Sequence, residues 1–201
     1  MIRAGLTGGL ATGKSFVGKT LEELGCYWIQ ADALGHEVLE PGGPAHAAVI
    51  AEFGRGILNK DGTINRTRLA DNVFGQPERL EVLNSLVHPH VLSIEEERIA
   101  RFATGNPEGI VVVEAAILVE TGGYKRFDRL IVTVCSEEQQ IERALRREGA
   151  TREQVEARLR RQMPIEDKVK LADYVVDTSG TKEETVVQVR KIHALLRRIA
   201  A

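Results

Sequence analysis

The run Gly8-Gly9-Leu10-Ala11-Thr12-Gly13-Lys14-Ser15 constrains this chain more than any other stretch. It fits G-x-x-x-x-G-K-[ST] and lies between a strand-like segment and a helix-like one, Lys14 to Leu24. Glycines there let backbone N–H groups wrap around a phosphate, and the helix that follows points its positive end at the same anion. In this pattern Lys14 reaches the β- and γ-phosphates of a nucleotide, and the Ser15 hydroxyl holds Mg²⁺.

A loop of this kind needs a strand before it and a helix after it, and the rest of the chain keeps that rhythm. Five short apolar runs read as strands: Ile2 to Thr7, Tyr27 to Ala31, Ile110 to Glu114, Leu130 to Val134, and Tyr174 to Asp177. They are nearly continuous in apolar character, as expected of parallel strands covered on both faces. Ser136-x-x-Gln139, Thr151-x-x-Gln154 and Thr181-x-x-Glu184 each place a Glu or Gln three residues after a hydroxyl, which predicts three helix starts. Pro44 and Pro77 read as first-turn prolines of further helices. The stretch from Pro41 to Asn106 is too long for a minimal crossover and predicts a helical insert. The Arg-rich stretch from Ser136 to Ala172 predicts a helical lid. The expected fold is a three-layer α/β domain over residues 1–201 with a five-stranded parallel sheet. Its core covers about 1–40, 107–135 and 173–201, its substrate-binding insert about 41–106 and its lid about 136–172.

A formal net charge of −2 gives no bulk field that would favour nucleic acid or an anionic membrane, so phosphate binding has to come from local arrangement. The longest apolar runs, such as Ala115 to Val119, are too short to span a bilayer, and the first residues carry no leader-like apolar core. A cytoplasmic protein is expected. Cys26 and Cys135 form no CxxC or metal-ligand spacing and read as buried free thiols.

Four further features carry candidate chemistry. Asp32 follows the second strand-like run, where strand ends gather beside the phosphate loop. It can accept a hydroxyl proton there, or it can simply cap the next helix. Glu114 ends an apolar strand, which is the usual place for a carboxylate that holds a metal-bound water or contacts an acceptor; an acid exposed at a strand end is the other reading. Glu120 is a weaker case. Arg143, Arg146 and Arg147 sit on one predicted helix with Glu142 and Glu148, either as a charge clamp on a polyphosphate or as a salt-bridged surface. Arg158 belongs to the same argument. His88, before Pro89, reads as a hydrogen-bonded structural histidine or as a substrate contact.

The ordered set of motifs resembles the dephospho-coenzyme A kinase family along nearly the whole chain. Gly5-Leu6-Thr7-Gly8-Gly9 leads into the loop. Ala31-Asp32, Glu40-Pro41-Gly42, Phe53-Gly54, Asp61-Gly62-Thr63, Val73-Phe74 and His88-Pro89 follow in the family's order. Gln140-x-x-Arg143-x-x-x-Arg147, Arg158-x-x-x-Gln162, Ala172-Asp173 and Ser179-Gly180 complete it. The resemblance implies a P-loop NTPase fold like that of nucleoside monophosphate kinases. It also implies transfer of the ATP γ-phosphoryl group to the ribose 3′-hydroxyl of dephospho-coenzyme A, with Mg²⁺ as cofactor and a monomer favoured. On matching positions it implies Asp32, Lys14 and Arg143 as the catalytic set. The nucleotide falls to Gly9, Ala11, Thr12, Gly13, Lys14, Ser15 and Phe16, together with Arg143 and Arg147 of the lid. Asp32, His88 and Glu114 fall to the acceptor and Ser15 to the metal.

The chain departs from that pattern at three places. Glu114-Ala115-Ala116-Ile117-Leu118-Val119-Glu120 stands where Asp-x-Pro-Leu-Leu-Phe-Glu is common, Gln30 replaces a frequent Asp, and Thr178 replaces a usual Asn. Another small-molecule kinase of the same architecture is the nearest rival reading. A GTPase fits less well, because Asp177-Thr178-Ser179-Gly180 follows the fifth strand and Asn59-Lys60-Asp61-Gly62 lacks the final Asp of N-K-x-D. A nucleotide-binding regulator without turnover would not need Asp32 and the lid arginines.

Overall fold

The computed structural model describes residues 1–73, 75–146 and 151–201, so Phe74, Arg147 and Glu148 lie outside the described residues. The elements, in chain order, are β1 (Ile2–Gly8), α1 (Lys14–Glu23), β2 (Tyr27–Gln30), α2 (Ala31–Glu37), α3 (His46–Phe53), α4 (Arg66–Val73), α5 (Pro77–Gly105), β3 (Ile110–Glu114), β4 (Arg129–Val134), α6 (Glu137–Leu145), α7 (Arg152–Arg161), α8 (Ile165–Leu171), β5 (Tyr174–Asp177) and α9 (Lys182–Ala200). They divide into two compact units, Met1–Gln30 with Phe102–Ala201, and Ala31–Arg101.

The first unit holds a parallel sheet of five strands in the order β2-β3-β1-β4-β5. Its central strands are buried on both faces: Val111, Val112 and Val113 of β3 and Ile131 and Val132 of β4 are fully buried. That is why their sequences run apolar without alternation. On one face Val17 and Leu21 of α1 and Val189, Ile192 and Leu196 of α9 pack with Leu6, Val112, Ile131 and Val176. Each fully buried Val, Leu or Ile contributes about 1.5–3 kcal/mol from leaving water. The three predicted helix starts are present as reciprocal capping boxes at Ser136/Gln139, Thr151/Gln154 and Thr181/Glu184.

Helix α1 ends at Glu23, one residue before the expected Leu24, which is its C-cap. Gly25 adopts φ 96°, its N–H bonds the Glu22 carbonyl at 2.9 Å, and the Cys26 N–H bonds the Leu21 carbonyl at 3.0 Å. This Schellman pairing satisfies the last carbonyls and turns the chain into β2. Because β1 connects outward to β2 while β3 connects across to β4, the carboxyl ends of neighbouring β1 and β3 flank a crevice of the kind that receives ligands in open α/β sheets.

The second unit is helical, with Leu34, Val38, Val49, Phe53, Ile57, Leu69 and Val91 buried. Its Asp61-Gly62 turn forms as expected. The Thr63 N–H donates to Asp61 Oδ1 at 3.0 Å, Gly62 takes φ 85°, and Leu58 bridges Ile64. Pro77 opens α5 as expected, but Pro44 does not open α3. The helix starts at His46, and Pro44 lies in the preceding turn, where the His46 N–H bonds the Gly43 carbonyl at 3.2 Å. A proline fits such a turn for the same reason it fits a first helical turn, its fixed φ. Asp32 lies in the first turn of α2 and not at an N-cap, because the helix already begins at Ala31, a residue that had been read as strand.

Candidate active site

The phosphate loop leaves β1 at Gly8 and enters α1 at Lys14. Gly13 is the N-cap of α1 in a left-handed conformation, φ 81° and ψ 19°, which a side chain would disfavour. Ala11 also takes a positive φ of 55°. The loop is held from below. Thr12 is fully buried and its hydroxyl lies 2.9 Å from the Gly9 carbonyl and 2.7 Å from the hydroxyl of Thr133 on β4. A Cβ on Gly8 would run into Thr133 and Thr12, and one on Gly9 would lie 2.5 Å from Gln140 Oε1. Gly8 is therefore fixed by close approach to the backbone of β4, and Gly9 lies against the buried Gln140 side chain.

Lys14 Nζ donates to the Gly9 carbonyl at 2.8 Å, so its ammonium is folded over the loop. Ser15 is exposed and donates its hydroxyl to Glu114 Oε1 at 2.9 Å. Glu114 ends β3 only 7% exposed, and its Oε2 accepts the Trp28 indole N–H at 3.1 Å. The exposed-acid reading of Glu114 is thereby excluded: the carboxylate is held by donors on both oxygens. Phe16 is half-buried, with Lys182 Nζ 5.8 Å from its ring centre.

Among the described residues no group of three or more His, Cys, Asp or Glu side chains is placed to cage a metal. Ser15 Oγ and the Glu114 carboxylate are hard oxygen donors, which fits Mg²⁺, an ion that keeps waters and takes only one or two protein oxygens beside phosphate.

Arg143 on α6 donates from Nη1 to the Thr178 hydroxyl at 3.1 Å and from Nη2 to the Thr178 carbonyl at 2.7 Å. The Thr178 hydroxyl lies 3.0 Å from the Thr12 carbonyl. Arg143 is thus tied through one threonine to the underside of the phosphate loop. Gln139 Nε2 bonds the Ser179 carbonyl at 2.9 Å, and the Asp177 carboxyl, which accepts the Ser179 N–H at 2.8 Å, is held below its usual pKa chiefly by hydrogen bonding from Ser179. Burial pushes the nearby Cys135 thiol up, with the Arg143 charge pulling the other way, and pushes Cys26 up to about 12. Both cysteines are free and buried.

The first unit therefore brings together Gly9, Ala11, Thr12, Gly13, Lys14, Ser15 and Glu114, with Arg143 reaching the same loop through Thr178. Asp32, exposed, and His88, half-buried on α5, belong to the second unit. Arg146 pairs with Glu142 at 2.5 Å on the surface, as the salt-bridged reading has it. Glu120 pairs with the fully buried Lys168 at 2.7 Å. Trp28 and Thr133 support the site though no local pattern marks them, and Gln140, which opens the Gln140-x-x-Arg143 motif, supports the loop at Gly9.

A family model described as dephospho-CoA kinase matches residues 2–184. A dephospho-CoA kinase of Aquifex aeolicus is 43% identical over 198 residues, 98% of this chain and 99% of the relative. Among solved structures, a Thermus thermophilus protein aligns with a TM-score of 0.83 at 31% identity, covering 98% of this chain and 97% of that one. A dephospho-CoA kinase from Campylobacter jejuni aligns with a TM-score of 0.72 at 24% identity, covering 99% and 98%, which speaks to the fold.

Proposed function

The chain belongs to the dephospho-CoA kinase family, and on that footing we propose how its residues divide the work of the reaction. The activity is ATP-dependent phosphorylation of dephospho-coenzyme A at the ribose 3′-hydroxyl, giving coenzyme A and ADP. The observation that carries the assignment of roles is the convergence of Lys14, Ser15 and Glu114 at the carboxyl ends of β1 and β3, around a loop whose first two glycines are closely approached by Thr133, Thr12 and Gln140.

Phosphoryl transfer leaves little covalent chemistry to the protein; it needs positioning and compensation of charge on the transferred group. Loop amides from Gly9 to Phe16 bind the phosphates, and Lys14 exchanges its carbonyl partners for phosphate oxygens. Ser15 holds Mg²⁺, which when bound neutralises charge on the phosphates. Glu114 fixes the Ser15 hydroxyl, and that carboxylate also lies on the acceptor side. Asp32, two residues past the end of β2, takes the proton of the attacking hydroxyl. Arg143 supplies positive charge to the transferred group from α6, and Arg147 joins it in the same role. His88 contacts the acceptor. All these residues come from one chain, so the reading needs no second copy. Two buried free thiols accord with a reducing, cytoplasmic setting.

The test is a coupled ADP-release assay with dephospho-coenzyme A, AMP and simple sugars as acceptors. Turnover with dephospho-coenzyme A alone is expected; comparable turnover with AMP or a sugar would overturn the acceptor assignment.

A further inference from the structure

We propose that Trp28 is a positioning residue of the phosphotransfer site: by holding Glu114 it orients the Ser15 hydroxyl toward its role at the metal. The inference rests on the reading of Ser15 as the magnesium-side hydroxyl.

A serine hydroxyl has one proton to give and two lone pairs to offer. Here the proton is committed to Glu114 Oε1 at 2.9 Å, so both lone pairs remain for a cation. That commitment depends on the carboxylate keeping one orientation. Its other oxygen, Oε2, accepts the indole N–H of Trp28 at 3.1 Å, which fixes the plane of the group from the far side. The sheet register makes this possible. Gln30 pairs with Glu114 and Trp28 with Val112, so Trp28 lies diagonally beside Glu114 on the same face of the sheet.

The indole is itself held in place. It packs on the main core, and a Cβ on Gly18 of α1 would lie 2.5 Å from its Cε2 and closer still to Nε1. Gly18 stands three residues after Ser15, on the same face of α1. The same helix thus carries the hydroxyl and the gap that admits the ring. Aromatic burial alone would be served by phenylalanine; the hydrogen bond to a charged acceptor requires the indole.

Trp28→Phe keeps the ring and removes the donor. The reading is the ratio of ADP affinity with Mg²⁺ to ADP affinity in EDTA, measured by titration calorimetry. The wild-type ratio is expected to fall about tenfold in the variant, the scale of one lost charge-assisted hydrogen bond. Metal-free ADP binding should stay unchanged, which a loss of general packing would not spare. An unchanged ratio in folded Trp28→Phe overturns the proposal. Ser15→Ala separates the two levels: if it also keeps the wild-type ratio, the Ser15 reading fails and takes the proposal with it, whereas a lowered ratio in Ser15→Ala alone removes only Trp28. Should the variant not fold, wild-type protein decides, because Trp28 is its one tryptophan. Its emission should change with ADP and Mg²⁺ but not with ADP in EDTA, and identical spectra overturn the proposal.

Discussion

Arg143 gives both terminal nitrogens of its guanidinium to Thr178, one to the hydroxyl and one to the carbonyl. The same hydroxyl approaches the Thr12 carbonyl, so one threonine joins an arginine of α6 to the phosphate loop. Thr178→Val preserves the shape and deletes that joint. It is expected to cost about 1–2 kcal/mol in urea denaturation, as for a buried hydrogen bond left half-made, and to raise the KM for ATP more than the KM for the acceptor. Equal KM changes for both substrates would show that Thr178 does not act on the nucleotide side.

Asp32 and Lys14 should separate chemistry from binding. Asp32→Asn should lower kcat at least ~10²-fold, the low end for a positioned general base, with ADP affinity kept. Lys14→Ala should lower kcat by ~10²–10³-fold, as expected for one lost charge-stabilising donor. Turnover within a few-fold of wild type in either variant would remove that residue from the mechanism.

The Lys168–Glu120 pair should matter for stability. Lys168 is fully buried, Glu120 is 19% exposed in its side chain, and the pair closes at 2.7 Å, with Lys168 also 3.3 Å from the Ala116 carbonyl. Lys168→Met leaves a carboxylate in a largely dry site and should destabilise by ~3–5 kcal/mol. The double variant Lys168→Met/Glu120→Leu should recover much of that loss in the urea midpoint. A single variant as stable as wild type would mean that water already reaches the pair.

His193 should set part of the acid limb of stability. Burial first, and then the charge of Arg197 one turn along α9, hold its imidazole below the usual 6.5. The fold prefers the neutral ring, so the unfolded chain takes up the proton first as pH falls. The stability contributed is full above 6.5 and is lost as pH drops through the lower folded-state value. His193→Gln should flatten the fall in urea midpoint below pH 6.5; an unchanged slope would assign that fall to other groups.

Much of the fold could be read from the sequence because its signals are local or continuous. Buried parallel strands are unbroken apolar runs, and the three capping boxes need only residues three apart. Errors came where one residue type serves two local structures. Pro44 fits a turn as well as a first helical turn, and Ala31 continues an apolar run yet opens α2. The loop could be read because its chemistry fixes its spacing. Its supports could not, because they join residues far apart in the chain: Trp28 to Glu114 across 86 positions, Thr12 to Thr133 across 121, and Thr178 to Thr12 across 166. No periodicity encodes such pairs; only the strand order brings them together.

That strand order also sets a schedule. β1 leaves the ribosome before the other four strands of its sheet, yet both strands that flank it, β3 and β4, lie between residues 110 and 134. Strand β2 and helices α1 to α5 must all be synthesised before β1 acquires a hydrogen-bonded neighbour. Newly made chains cut short before β3 would carry the full nucleotide motif with no sheet to hold it in shape.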